Sequence, residues 1–147
     1  GGAAHGGTYT AHSVSLAAAE CCLQILDETP ALDTIAAYGE KLKGGIKSIL
    51  DERNIVHSFS GHSSMFGLFF DDKPPVDYRA WKKSDYSFYD RMAYHLHDLG
   101  VICEPDSREP LFICEAHDQS CLDDTLTAIE HAVDMVLEEQ EQAGKPL

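Results

Sequence analysis

Positive charge is scarce in this chain: 11 Lys+Arg stand against 25 Asp+Glu, a formal net charge of -14 over 147 residues. Such a balance leaves no electrostatic footprint for nucleic acid or an anionic membrane surface, so small molecules and proteins remain as partners. Long apolar runs are missing as well. None approaches the ~20 residues of a membrane span, and residues 1–5 carry neither the charged nor the apolar region of a secretion signal. The five cysteines, Cys21, Cys22, Cys103, Cys114 and Cys121, are odd in number and show no CxxC spacing. That argues against a disulfide framework or a zinc site and for reduced thiols in the cytoplasm. There is no internal repeat, low-complexity tract or interior linker. One compact unit is expected, long enough to bury a core without metal or disulfide staples.

What is present is apolar periodicity. Val14, Ala17, Ala18, Cys21, Cys22 and Ile25 recur at helical spacing over Ser13–Glu28, which predicts a buried helix packed closely through its alanines and cysteines. Pro30 ends it or opens the next, where Leu32, Ile35, Gly39, Leu42, Ile46 and Ile49 mark a second amphipathic helix weakened by Gly44 and Gly45. Short β-type runs follow at 55–59 and 65–70. The second is apolar on both faces, as in a central strand covered by helices on one side and by another domain or subunit on the other. A polar segment after Pro74 and Pro75 carries Tyr78 and Trp81 as anchors. Ser84 or Asp85 can cap a helix with the stripe Phe88, Tyr89, Met92, Leu96 and Leu99, closed by Gly100. Residues 101–103 and 111–114 read as two short strands. Asp118 can cap a last helix with the stripe Leu122, Leu126, Ile129, Val133 and Val136, before a solvated tail from 138 onward. The order predicts an α+β domain with a small, largely antiparallel sheet packed by helices.

Two stretches carry chemistry. Gly6, Gly7 and Thr8 precede the first helix, and a tight glycine turn ahead of a helix N-terminus can aim amide N–H groups and a positive dipole end at a phosphate or carboxylate. An ordinary loop-to-helix junction has the same pattern. The second is the polar loop that begins at Pro105.

Several stretches together resemble the C-terminal part of class III pyridoxal-phosphate-dependent aminotransferases, in the glutamate-1-semialdehyde 2,1-aminomutase branch: HGGTYT at 5–10, SMFGLFF at 64–70, VDY at 76–78, LGV at 99–101 and PDSREPLFICEAH at 105–117. The resemblance covers nearly the whole chain. It implies the small domain of a fold-type I enzyme, with residues 1–28 as a phosphate-contact segment and interdomain helix and 29–147 as the C-terminal small domain. It also implies that Gly7 and Thr8 give a backbone N–H and a hydroxyl to the phosphate of pyridoxal 5'-phosphate held by the other subunit of a homodimer, and that the 105–109 loop, with Pro105, Ser107 and Glu109 at family positions, lies beside an amino or keto acid substrate. Asp106 stands where the aminomutases usually have serine and Arg108 where an aromatic is common. Arg108 is then either a bidentate clamp for a substrate carboxylate or the surface partner of Asp106 or Glu109. AHS at 11–13 departs from a more usual glycine, asparagine and proline.

The resemblance also locates an absence. In that family the Schiff-base lysine, the aspartate on the pyridine nitrogen and the stacking aromatic all precede the glycine–threonine motif. None of Lys41, Lys43, Lys47, Lys73, Lys82, Lys83 or Lys145 sits in a matching context, so no catalytic residue is expected here and the chain alone is expected to be inactive. The alternative is a non-catalytic dimerisation or interaction module derived from the same fold. No metal is expected either: His95 and His97, two apart on a helix, point to different faces. His117 reads as a hydrogen-bonded structural residue, and Cys21 beside Cys22 as helix packing rather than a vicinal disulfide.

Overall fold

A computed structural model describes residue 4 and residues 6–144 of the chain. His5, the first residue of the HGGTYT stretch, and Lys145 lie outside them. Helix α1, Ser13–Glu28, is capped by His12, whose Nδ1 accepts from the Ser15 amide at 3.3 Å. Thr29 caps the C-terminus of α1, its amide donating to the Ile25 carbonyl at 3.0 Å, and Pro30 N-caps α2, Ala31–Glu52. That helix buries Ala31, Gly39, Leu42, Ile46 and Leu50, while Leu32, expected on the stripe, faces solvent. Gly44 and Gly45 do not interrupt it. Gly45 is a packing site: a Cβ there would stand 2.5 Å from the Leu126 side chain of the last helix. α2 ends on Asn54 at φ 55°, a left-handed conformation asparagine tolerates, and the Ile55 amide closes the turn on the Leu50 carbonyl at 3.0 Å.

Contrary to the buried helix expected from its periodicity, α1 buries none of its residues. Periodicity shows that one face is apolar; it does not supply a surface to cover it. Cys21 and Cys22 are accordingly exposed, and all five cysteines are free.

Strand β1 is Ser58–His62, shifted from 55–59 because Ile55 and Val56 belong to the connection out of α2: Ile55 turns inward and Val56 outward. A two-residue turn returns the chain into β2, Met65–Phe69, in antiparallel register Ser58↔Phe69 to His62↔Met65. β3 is only Leu111–Phe112, paired antiparallel to Phe66 and Met65. The sheet order β1-β2-β3 makes β2 central, as expected. Residues 101–103 form no strand among the described residues. Apolar composition made them look like one, but Val101 closes the preceding helix instead, its amide donating to the Leu96 carbonyl at 2.8 Å.

A short helix α3, Tyr78–Trp81, is N-capped by Asp77, whose Oδ1 accepts from the Ala80 amide. α4, Ser87–Asp98, starts behind Tyr86 rather than Ser84 or Asp85, although Asp85 Oδ1 takes the Ser87 amide at 2.9 Å. Gly100, at φ 87°, ends it as expected. Leu99 is partly exposed, and Ala93 takes the fifth place in the buried stripe. α5, Gln119–Gln142, is capped by Asp118 and takes in residues 138–142 of the expected solvated tail. The core lies between one face of the sheet, through Phe66 and Leu68, and helices α2, α4 and α5, through Ile46, Leu50, Met92, Ala132, Val133 and Val136. No helix among the described residues is long and apolar enough to cross a membrane.

Candidate functional site

Gly7 and Thr8 sit in a pair of turns, with the Thr10 amide on the Gly7 carbonyl and the His12 amide on the Tyr9 carbonyl, both at 3.1 Å. Thr8 lies inside the first turn and the second separates it from the start of α1, so the glycine–threonine donors and the helix terminus are two groups in sequence rather than one nest. Gly7 has φ 156°, and a Cβ there would stand 3.1 Å from Thr10 Oγ1, a tight contact with a side chain that can rotate. The whole segment from Gly6 to His12 is exposed. Among the described residues the Thr8 amide and hydroxyl have no hydrogen-bond partner, and the first turn of α1 has no acidic residue. Neutral amide and hydroxyl donors without a carboxylate beside them suit a phosphate oxygen. They are too few to enclose one.

The Pro105 loop is held tightly. The Arg108 and Glu109 amides fold back onto Asp106, one on Oδ1 at 2.9 Å and the other on the carbonyl at 3.0 Å. The Arg108 guanidinium pairs side-on with the same carboxylate, Nε at 2.9 Å from both oxygens and Nη2 closing on Oδ2. This charge-assisted bond holds the Asp106 carboxyl below the usual carboxylate range, against a smaller opposing effect of burial, and raises the Arg108 pKa. Of the two readings left open for Arg108, the ion pair with Asp106 is present. It occupies the Nε side, and Nη1 has no hydrogen-bond partner among the described residues. Glu109 is exposed.

The loop rests on an aromatic stack that sequence reading did not connect to it. Trp81 lies against Tyr86 at 4.6 Å between ring centroids and 17° between planes, and against Tyr78 at 5.5 Å and 24°. Its Nε1–H donates to Ser107 Oγ at 2.8 Å, and Ser107 is buried. The Arg108 guanidinium lies 4.8 Å from the centre of the Trp81 ring, a cation–π distance. Tyr78 and Trp81 are the anchors the sequence suggested. Their partner, 26 residues away, is what no local pattern reveals.

Asp106 and Glu109 also border a cleft of about 610 Å³. Its walls are mostly apolar, with Tyr38, Tyr89, Cys103, Glu104, His117 and Thr125 as the other polar groups. Burial pushes the Tyr89 phenol and the Cys103 thiol up, and with Asp106 nearby it also raises the Asp90 carboxyl. These shifts disfavour charge on the core side of the loop. His117 makes the hydrogen bond expected of it, with Nδ1 accepting from the Cys114 amide at 3.2 Å and its ring against Tyr38. His95 meets Glu139 at 2.8 Å and His97 meets the Cys103 carbonyl. No metal-binding cluster occurs among the described residues. Of the lysines, Lys41, Lys47, Lys73, Lys82 and Lys83 are exposed, and Lys43 lies half-buried over Phe59 and Phe66.

No protein-family model matches the chain. Over most of its length it is similar to the glutamate-1-semialdehyde 2,1-aminomutases of Methanothrix thermoacetophila, 34% identical over 130 residues covering 88% of this chain and 30% of the relative, and of Aquifex aeolicus, 30% identical over 127 residues covering 86% and 30%. Among solved structures, the omega-transaminase from Sphaerobacter thermophilus matches 92% of this chain and 31% of its own at a TM-score of 0.78 and 24% identity. The FumI protein of Sphingopyxis sp. MTA144, solved in its PLP internal aldimine form, matches 80% and 25% at a TM-score of 0.67 and 26% identity. The chain thus spans about 30% of the length of the curated relatives it matches.

Proposed function

Because this chain corresponds to a C-terminal part of the class III pyridoxal-phosphate-dependent aminotransferases, we propose that it completes the active site of such an enzyme, a cytoplasmic homodimer that moves an amino group between or within amino and keto acids. Residues 1–28 are the phosphate-contact segment and interdomain helix in this reading, and 29–147 the small domain. The observation that carries it is the state of the first segment. Among the described residues, a turn whose Thr8 donors have no partner leads into a helix with an apolar stripe, and no residue of either is buried. Such a segment fits a role at a boundary with other polypeptide.

Bound pyridoxal phosphate would supply the electron sink for amino-group transfer, and the lysine that anchors it would come from outside these 147 residues. The residues here bind and orient. Gly7 and Thr8 give a backbone N–H and a hydroxyl to a phosphate oxygen across the subunit boundary. Arg108 presents its Nη1 edge to a substrate carboxylate while Asp106 fixes the opposite edge. Glu109, one residue on, accepts from the substrate amino group.

Thr8→Val removes the hydroxyl and keeps the branched shape. In the complete enzyme it should weaken pyridoxal phosphate binding to the apoenzyme by roughly tenfold, the scale of one hydrogen bond to a charged group. Absorbance titration of the apoenzyme measures this, and unchanged affinity would remove the phosphate contact from the proposal.

A further inference from the structure

We propose that Trp81 is the positioning residue of the substrate-side loop, setting the plane in which Arg108 meets a carboxylate. This rests on the clamp reading of Arg108 given above and adds to it the residue that makes the clamp specific. A guanidinium on an exposed loop has several rotatable bonds, and a free carboxylate would have to order all of them on binding. Here the ordering is done in advance by two attachments to one indole. The Nε1–H holds Ser107 at 2.8 Å, with that serine buried, and the ring carries the Arg108 guanidinium at 4.8 Å.

The indole is itself fixed. Tyr86, immediately before α4, stacks on it at 4.6 Å, and Tyr78 in the same turn of α3 stacks at 5.5 Å. α3 is held in turn by its Asp77 cap. With Asp106 on the Nε side and the indole centre 4.8 Å from the guanidinium carbon, the Nη1 edge has no partner among the described residues. One edge in one plane accepts a planar carboxylate end-on and offers nothing comparable to an uncharged substituent. Phenylalanine at position 81 would keep much of the stacking but release Ser107. Alanine at 107 would keep the indole and release the loop from it.

The test is a selectivity measurement in the complete holoenzyme. Trp81→Phe should raise the ratio of KM for carboxylate-bearing donors to KM for simple amine donors about tenfold, and Ser107→Ala should raise it in the same direction. Arg108→Met should raise it at least as much, and adding Trp81→Phe to Arg108→Met should raise it no further, because both act through one guanidinium. A ratio that moves in Arg108→Met but stays at the wild-type value in both Trp81→Phe and Ser107→Ala overturns the role of Trp81 and leaves the clamp. A ratio unmoved by Arg108→Met overturns the clamp itself, and the inference with it. A second readout is independent of turnover: Trp81 is the sole tryptophan of the 147 residues. In this chain its emission should change on titration with glutarate, and the change should vanish in Arg108→Met. An equal response in that variant places the dicarboxylate elsewhere and rejects the proposal.

Discussion

Gly39 sits in the middle of α2 although glycine there weakens a helix by about 1 kcal/mol relative to alanine. The reason is a close approach: a Cβ at this position would stand 1.9 Å from the Ser63 carbonyl oxygen and 2.5 Å from its carbon. The obstacle is backbone at the turn between β1 and β2, so it cannot rotate away as a side chain could. Gly39→Ala is therefore expected to destabilise by about 1–3 kcal/mol, as overpacking does, despite the better helix former. Urea unfolding followed by circular dichroism checks the sign; a midpoint at or above the wild-type value would mean that the hairpin turn yields freely. Gly45 makes the instructive contrast, since its neighbour is the Leu126 side chain, which can change rotamer. Sequence reading placed both glycines in the helix and judged Gly45 a weakness. The long-range neighbours that explain them lie outside any local window.

Helices were legible from their apolar stripes, α1 over Ser13–Glu28 included, but burial was legible only where the stripe meets other elements of the chain. α2, α4 and α5 were found from period 3.6 because their apolar residues face one shared core, and β2 was recognised as central because it is apolar on both faces. The 101–103 run was misread because a helix C-terminal closure and a strand can both be short and apolar, and the difference is a hydrogen bond from Val101 to Leu96. At the site, the Pro105 loop and Arg108 were visible, but not which of two partners the guanidinium takes. Charge is also used to tie elements together. Arg53, at the end of α2 with its side chain only 17% exposed, grips Asp134 of α5 through Nε at 2.6 Å and Nη2 at 2.9 Å, with Glu130 at 3.1 Å. The bond to Arg53 holds the Asp134 carboxyl below its ordinary value. A depressed folded value means the pair stabilises fully above the unfolded carboxylate range, and the stabilisation is lost as pH falls through the folded value. Asp134 is itself 48% exposed, so the contribution is discounted for solvent screening to about 0.5–1 kcal/mol. Asp134→Asn should show that loss near neutral pH, and its deficit should shrink as pH is lowered below about 4, the usual aspartate range. Urea midpoints of both proteins across that window measure it. A deficit that stays constant into acid would assign the loss to packing instead.

At the scale of the molecule, the chain divides into a part with a core and a part without one. Helices α2, α4 and α5 and the sheet share a buried apolar core, whereas α1 buries no residue and leaves Val14 at 70%, Leu23 at 66% and Ile25 at 49% exposure. A helix of 16 residues is close to the length at which isolated helices are only marginal in water. Its stability must then come from whatever covers the stripe. In the 147-residue chain by itself, the α1 amides should exchange with solvent far faster than those of α5, because opening α1 breaks little apolar contact. In the complete enzyme the same amides should be protected, by about 100-fold or more if coverage supplies on the order of 3 kcal/mol of burial. Hydrogen–deuterium exchange with peptide-level readout separates the two states, and Cys21 and Cys22, both exposed on α1, give a second measure through alkylation rate. Protection of α1 equal to that of α5 in the chain alone would show that the helix is stable without a partner. The boundary role of residues 1–28, and with it the phosphate contact at Thr8, would then lose its physical basis, while the fold of the remaining elements would stand.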